Sequence, residues 1–383
     1  MTRPTVQDIF HRFYPGYLDR YTPSVQQAKT AHNIMNCKTG AYGMNVSTCS
    51  ECGSVQTHYN SCRNRCCPMC QAIPKEKWMD ARREDVLDAP YFHLVFTLPE
   101  ELNPVILSNQ KLLYDILYHA ASATLKVLTT TPKYLGAKIG YICILHTWGS
   151  EMNYHPHIHA IVLGGGLTIQ NQWKDNGDSF FLPIQVISQV FKGKYMAELK
   201  YLWKEEKLEF HGTAREYRNH YQFKELINLC YETDWAPYCK KTFNGVRSVI
   251  DYLGKYTHRI AISNHRIIRM DDNTVTFYVK DYRNNGQWKE LVLTGVEFIR
   301  RFLMHVPPKR FVRIRHYGLL CSRTKKHALT LCRNLLGCRQ YLSKLRDMAM
   351  PEILEHLYGI KVSVCKYCGG ALGVAQLRTP LRC

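Results

Sequence analysis

Cysteine spacing near the amino terminus restricts the fold of this chain more than any other feature. Seven of the 16 cysteines lie between residues 37 and 70, and they include two Cys-x-x-Cys pairs, Cys49/Cys52 and Cys67/Cys70. Two such turns have the geometry that presents four thiolates to one tetrahedral zinc ion. In a chain of 383 residues without a recognisable secretion signal, dense cysteines favour metal binding over disulfides. The sequence therefore predicts a module with a structural zinc ion.

Other side chains are available for a second zinc site, although their spacing does not assign them. They are Cys37, His58, Cys62 and Cys66. The predicted zinc ligands are the two pairs together with Cys62 and Cys66. A further pair, Cys365/Cys368, has no obvious second pair, since only Cys383 follows it. We therefore do not expect a complete zinc site at the carboxyl end.

The charge balance indicates a polyanionic partner. Lysine and arginine total 51 against 31 for aspartate and glutamate, a formal charge of +20 that is typical of nucleic-acid-binding proteins. Arg63 and Arg65 lie between the cysteine pairs, near Tyr59, and we predict that they contact DNA; a solvated face is the alternative. No apolar run reaches the ~18 residues that span a bilayer. We expect a cytoplasmic, nucleoid-associated protein with no membrane partner.

The remaining pattern predicts an α+β fold in three parts. A hydrophobic content of 45% supports a buried core. The parts are a zinc-binding module (1–74) whose core we attribute to metal rather than side chains, a catalytic domain (75–265) with a helical insertion at about 167–243, and a basic carboxy-terminal β/helical segment (266–383). Periodicity predicts strands at 91–98, 138–146, 156–163, 274–279 and 287–293, and helices at 75–87, 104–128, 182–209 and 245–258.

Three histidines on neighbouring strands predict a catalytic metal site. His157 and His159 are two residues apart, so their imidazoles project from the same face of a sheet. With a turn centred at 151–152, His146 pairs across the hairpin with His157 on that face. Three imidazoles leave coordination positions open, as a catalytic metal requires. His155 is an alternative ligand, and ordinary packed histidines are the alternative interpretation.

Two tyrosines on the predicted helix at 245–258 are candidate nucleophiles. Tyr252 and Tyr256 are four residues apart and therefore lie on one side of the helix, at the border of its apolar face. Lys255 and Arg259 lie on the adjoining polar arc, where cations can hold a phosphate. A phenol with a pKa of ~10 is a poor nucleophile at neutral pH, so attack on phosphorus needs a metal that offsets the developing charge. The alternative is that both rings only pack.

Several motifs in one order carry a family resemblance. They are Tyr59-Asn-Ser-Cys-Arg-Asn-Arg-Cys-Cys-Pro-Met-Cys-Gln71, His146-Thr-Trp-Gly149, His155-Pro-His-Ile-His159, Tyr252-Leu-Gly-Lys-Tyr256-Thr-His-Arg259 and Ile314-Arg-His-Tyr-Gly318. Together they resemble transposases of the insertion sequence 91 family, which are histidine-hydrophobe-histidine endonucleases like rolling-circle initiators and plasmid relaxases. The resemblance covers about residues 37–318. Cys66 is a departure, because many relatives are expected to have histidine there.

The resemblance implies a palm-like antiparallel sheet with flanking helices and rolling-circle transposition through single-stranded intermediates. It implies Mg²⁺ or Mn²⁺ at His157 and His159, with Tyr252 and Tyr256 as nucleophiles that form 5′-phosphotyrosine. His146 as third ligand rests on the hairpin geometry and on similarity to relaxases. We therefore predict a transposase that acts on single-stranded DNA at transposon ends and on target DNA. The alternatives are a rolling-circle initiator or relaxase, and a non-enzymatic zinc-dependent DNA-binding protein.

Overall fold

An antiparallel sheet forms the centre of the structure, a computed structural model that describes residues 3–177, 182–235, 237–243, 249, 252, 254, 261–281, 286–373 and 377–378. The strands of the sheet are β3 (Tyr91–Thr97), β4 (Lys138–Trp148), β5 (Tyr154–Leu167), β6 (Trp173–Asp175), β7 (Tyr238–Phe243) and β11 (Ile314–Gly318). They lie in the order β11-β4-β5-β3-β7, with β6 paired to β5. Every one of these pairs is antiparallel and helices flank the sheet, so the predicted α+β fold is confirmed.

Helices cover one face of this sheet and form the largest hydrophobic core. They are α4 (Asn103–Ser108), α5 (Gln110–Thr130), α6 (Ile184–Lys204) and α7 (His220–Glu232). Successive side chains of a strand alternate between faces, and Leu145, Ile158 and Ala160 belong to this core. The neighbouring histidines therefore point to the opposite face.

None of the helices in the described ranges combines the length and apolar character needed to cross a membrane.

The opposite face of the sheet carries the histidines and is covered by a smaller core. Helices α3 (Ala72–Arg83) and α9 (Lys325–Leu336) pack there against Ile144 and Ile161 of the sheet. Val249, which is helical and 1% exposed, joins the same core, and Tyr252 packs against it. Within the predicted helix at 245–258 the described residues are Val249, Tyr252 and Gly254, and all three are helical.

Residues 3–35 correct one prediction from the sequence. They form α1 (Val6–Leu18) and α2 (Val25–Met35), whose apolar side chains pack with α8 (Gly295–Met304). A three-stranded sheet completes this core, with strands β8 (Ile267–Met270), β9 (Thr274–Asp281) and β10 (Gln287–Thr294). A Cβ atom at Gly295 would lie 2.1 Å from the Phe13 ring, so α1 and α8 are in close contact. The expectation of a metal core is wrong for this segment, because Ile9, Phe10 and Phe13 recur with helical period and bury together.

Two strands within residues 44–59 and two short strands of the carboxy-terminal segment form a small four-stranded sheet. Its strands are β1 (Met44–Cys49), β2 (Val55–Tyr59), β12 (Leu372–Gly373) and β13 (Leu377–Arg378), and the last helix before it is α10 (Met350–Tyr358). The segment before α10 is tied to α3, where the Asp80 carboxylate accepts hydrogen bonds from Tyr341 (2.6 Å), Ser343 (2.6 Å) and the Leu345 amide (2.8 Å). The three-part division stays a prediction, although residues beyond 266 contribute strands to both the central and the small sheet.

Candidate functional site

The hairpin of β4 and β5 brings three imidazoles together on one face of the central sheet. The predicted pairing of His146 with His157 is confirmed by the register of the two strands. The Nε2 atoms of His157 and His159 are 3.0 Å apart, and one ring nitrogen of each of the three histidines lies within 4.8 Å of the others. The three side chains are 4–8% exposed. This convergence is a direct result of the two-residue period of a strand.

Burial keeps the imidazoles of His157 and His159 neutral, which is the form that binds a metal. It lowers the pKa of His157 to about 3 and that of His159 well below its ordinary value. The His157 Nδ1 lies 2.6 Å from the carbonyl oxygen of His155. Since a carbonyl only accepts, Nδ1 carries the proton and the lone pair of Nε2 points toward the other imidazoles. The donor set thus fits a divalent ion with open coordination positions.

A fourth histidine, which the sequence interpretation missed, connects this cluster to Tyr252. His93 on β3 has Nε2 2.8 Å from Nδ1 of His159, and the Tyr252 hydroxyl lies 2.6 Å from that Nε2 and 2.9 Å from Nδ1 of the same ring. Burial lowers the pKa of His93 to about 4, so the ring is neutral and has one N–H. The signal in the sequence was a polar residue within the apolar strand at 91–97, where such a residue calls for a buried partner.

Tyr252 reaches this site because its helical turn is packed closely on the protein. A Cβ atom at Gly254 would lie 2.2 Å from the Met79 Sδ, so the turn is in close contact with α3. The buried side chain of Val249 anchors the same turn one helical repeat earlier. The other candidate residues of this motif, Tyr256, Lys255 and Arg259, lie outside the described residues.

The cysteines form two separate groups, and the predicted zinc site that combined both amino-terminal pairs is wrong. Cys67 and Cys70 group with Cys37 and Cys62, whereas Cys49 and Cys52 group with Cys365 and Cys368. In the first group, Sγ of Cys70 lies 3.3 Å from that of Cys37 and 3.5 Å from that of Cys62. A tetrahedral zinc ion with bonds of ~2.3 Å separates its sulfurs by about 3.8 Å. The spacing within this group therefore fits one zinc ion.

Two other predicted candidates belong to neither group. Cys66 is 4% exposed and lies in the core with α1 and α8, where burial raises the pKa of its thiol to about 11. His58 is exposed on β2 and is not part of either group. The prediction of Cys66 as a zinc ligand is therefore wrong, because its thiol lies outside both groups of four converging cysteines.

The two arginines predicted to contact DNA have different surroundings. The Arg65 guanidinium donates hydrogen bonds to the carbonyl oxygens of Phe311 (2.6 Å) and Pro308 (3.0 Å). Arg63 is exposed and has a positive φ of 53°. Arg65 thus joins the zinc-binding segment to the loop before β11, whereas Arg63 is placed where a phosphate can approach.

Comparison with known proteins places both halves of the chain among transposases. Residues 9–98 match a family described as transposase zinc-binding domain, and residues 140–328 match one described as putative transposase. The putative transposase y4qJ of Sinorhizobium fredii (strain NBRC 101917 / NGR234) is 39% identical over 336 residues, which cover 87% of this chain and 84% of that protein. The transposase for insertion sequence element IS801 of Pseudomonas savastanoi pv. phaseolicola is 29% identical over 357 residues, which cover 87% of this chain and 77% of that protein.

A solved structure with a remote similarity is the conjugative relaxase TrwC in complex with oriT DNA, in its copper-bound form. It is 14% identical to this chain and covers 67% of it, with 96% of the relaxase chain aligned and a TM-score of 0.26.

Proposed function

Since the chain belongs to the insertion sequence 91 family of transposases, we propose that its histidine cluster and Tyr252 perform the DNA cutting and rejoining of rolling-circle transposition. The observation that carries this proposal is that the Tyr252 hydroxyl contacts His93, which in turn lies 2.8 Å from His159, one of three buried imidazoles that converge on one point. Histidines that only packed against their neighbours would not have to direct their ring nitrogens at one point. The substrate is single-stranded DNA at the transposon ends, and target DNA is joined in the second step.

The proposed metal ligands are His146, His157 and His159. A bound divalent ion, Mg²⁺ or Mn²⁺, would polarise the scissile phosphate and offset the charge that develops on it. The Tyr252 oxygen then forms a bond to phosphorus while the bond from phosphorus to the 3′ oxygen breaks, which leaves a 5′-phosphotyrosine and a free 3′ hydroxyl. Attack by a 3′ hydroxyl on the phosphotyrosine reverses these bond changes and rejoins the DNA.

The histidines also orient the nucleophile. When Nε2 of His159 is a ligand, its Nδ1 carries a proton and donates it in a hydrogen bond to Nε2 of His93. The single proton of His93 is then on Nδ1, which donates to the Tyr252 oxygen. His93 thus holds the attacking oxygen and stabilises negative charge on it. The phenolic proton passes to solvent, to substrate or to the Nε2 lone pair of His93, which lies 2.6 Å from the Tyr252 oxygen.

The remaining roles rest on position in the sequence. We assign Tyr256 as the second nucleophile, because it follows Tyr252 by four residues in the sequence, a spacing that in a helix favours one face. Lys255 and Arg259 are assigned to the phosphate beside the tyrosines. The zinc ion of Cys37, Cys62, Cys67 and Cys70 is structural, because four thiolates leave no open position. Arg63 next to that site is assigned to the DNA backbone.

Labelled single-stranded DNA from the element's ends tests the proposal directly. We expect a covalent adduct that survives denaturing electrophoresis, carries the 5′ phosphate, needs Mg²⁺ or Mn²⁺, and is absent in EDTA. The variant Tyr252→Phe/Tyr256→Phe should form none, whereas Tyr221→Phe, at an exposed tyrosine on α7, should keep it. An adduct that persists in the double variant would overturn the assignment of the nucleophiles.

A further inference from the structure

We propose that a second structural zinc ion joins the two ends of the chain, bound by Cys49, Cys52, Cys365 and Cys368. All four Sγ atoms lie within 4.8 Å of one another. The Sγ atoms of Cys49 and Cys368 are 3.5 Å apart, and those of Cys52 and Cys365 are 3.8 Å apart. These distances are close to the separation of about 3.8 Å that a tetrahedral Zn–S site imposes. We call this group the terminal clasp.

Both halves of the terminal clasp have the backbone of a zinc knuckle. Each Cys-x-x-Cys pair is followed at once by a glycine in the left-handed region, Gly53 with φ 68° and Gly369 with φ 78°. The amide of each glycine donates to the carbonyl oxygen of the first cysteine of its pair, at 3.1 Å and 2.9 Å. Glycine adopts this conformation at no steric cost. The Gly370 amide also points at the Cys368 Sγ, at 3.4 Å.

The two knuckles are fitted to each other. A Cβ atom at Gly370 would lie 2.3 Å from the Glu51 Cγ and 3.2 Å from the Cys49 Sγ, so a side chain there would separate the pairs. The backbone amide and the hydroxyl of Ser50 both donate to the Ala371 carbonyl oxygen at 3.1 Å. β1 pairs with β12 at the same place, where Cys49 lies opposite Leu372. The two knuckles therefore pack specifically against each other, and this packing brings their four thiols together.

Little else holds this contact together. β12 and β13 are two residues long, and in the described part of the chain the clasp cysteines belong to none of the hydrophobic cores. Strands this short are not stable on their own. A metal ion bound by residues from distant parts of a chain supplies folding free energy instead. The zinc ion of the terminal clasp would thus hold the carboxy-terminal segment on the amino-terminal module.

Zinc counting on paired variants tests the clasp. Purified full-length protein in buffer with Mg²⁺ is analysed by native mass spectrometry. Cys365→Ser/Cys368→Ser should contain one zinc fewer than the wild type, and so should Cys49→Ser/Cys52→Ser. The variant with all four substitutions should also lack only one, because both pairs serve one ion. Cys321→Ser/Cys338→Ser is the matched control with unchanged zinc, since these thiols belong to neither group.

Either of two results would overturn the clasp. One is an unchanged zinc content in Cys365→Ser/Cys368→Ser, as expected if Cys49/Cys52 bound zinc with other partners. The other is a loss of two ions in the fourfold variant. Limited trypsin digestion provides a second readout that does not depend on zinc counts. We expect faster cleavage after Lys361 and Lys366 in Cys365→Ser/Cys368→Ser, and wild-type cleavage in the control; equal rates would contradict the proposal. None of these results depends on the histidine site.

Discussion

The histidine cluster and the cysteine groups are both candidate metal sites, but they are built in opposite ways. The histidines come from one hairpin, within residues 146–159, and the backbone pairing of β4 with β5 holds them in place. The cysteines come from loops and very short strands, and in the terminal clasp they come from both ends of the chain. Backbone pairing can shape the first site without an ion. The terminal clasp depends most on its ion, because its thiols belong to none of the three hydrophobic cores in the described part of the chain, whereas Cys37 and Cys67 of the other group also pack in the core with α1 and α8.

Loss of the histidine ligands should have the largest effect on activity and almost none on the fold. For His157→Ala/His159→Ala we expect cleavage to fall on the order of 10³-fold, since a catalytic metal supplies several kcal/mol of transition-state stabilisation. Circular dichroism and zinc content should stay as in the wild type. A variant that cleaves normally would contradict the site, and one that loses zinc would contradict the separation of the two kinds of site.

Loss of zinc ligands should have the opposite profile. In Cys67→Ser/Cys70→Ser the segment around residues 37–70 should unfold, because a structural zinc ion contributes on the order of 10 kcal/mol to small domains. The expected result is rapid proteolysis in this segment and loss of specific binding to transposon ends. The central sheet, which has its own hydrophobic cores, should resist the protease. If the segment at residues 37–70 resisted the protease as well as the central sheet does, the proposed difference between the two kinds of site would be contradicted.

His93 tests whether the histidine site includes more than its three ligands. We expect His93→Ala to lower the single-turnover cleavage rate by roughly 10- to 100-fold, as for other residues that orient a metal ligand, with DNA affinity unchanged. His93→Gln should recover part of the rate, because its amide can still donate to the Tyr252 oxygen. A merely structural role predicts that neither variant changes the rate at equal stability, or that both lose DNA binding as well.

The arginines beside the zinc-binding segment should show the smallest effects. Arg63→Ala should weaken DNA binding a few-fold and lower the salt dependence of log K by ~1, as the loss of one phosphate contact does. Arg65→Ala should instead lower the melting temperature, because it removes hydrogen bonds to Pro308 and Phe311. Binding titrations at several salt concentrations and thermal melts of both variants distinguish the two roles. An unchanged salt slope in Arg63→Ala would argue against the phosphate contact.

Contacts between residues that are close in the sequence could be predicted from the sequence, and contacts that depend on the order of strands in the sheet could not. The pairing of His146 with His157 follows from strand period and a short turn, and it was predicted correctly. His93 contacts His159 only because β3 lies beside β5, and that strand order is a property of the tertiary fold. The sequence of α1 has a helical period of apolar residues that predicts a packed helix. The dense cysteines that follow it favour a metal core instead, and for this segment that prediction is wrong.

The cysteine partners were mispredicted for the same reason. Cys49/Cys52 and Cys67/Cys70 are near each other in the sequence, which made one shared ion the simplest prediction. The structure separates them, since β1 carries the first pair to the carboxyl end while the second stays near α1 and α2. The Cys-x-x-Cys spacing identifies each zinc knuckle, but it does not determine which two knuckles share a zinc ion.

Hydrogen exchange of the metal-stripped protein tests the central contrast most directly. Amide protection is compared, by mass spectrometry, between the zinc-loaded protein and the same protein after chelation. We predict that β4 and β5 keep their protection, whereas residues 37–70 and 361–373 lose theirs. Loss of protection in the histidine hairpin, or its full retention in both cysteine segments, would contradict the account that the sheet builds one site and metal builds the others.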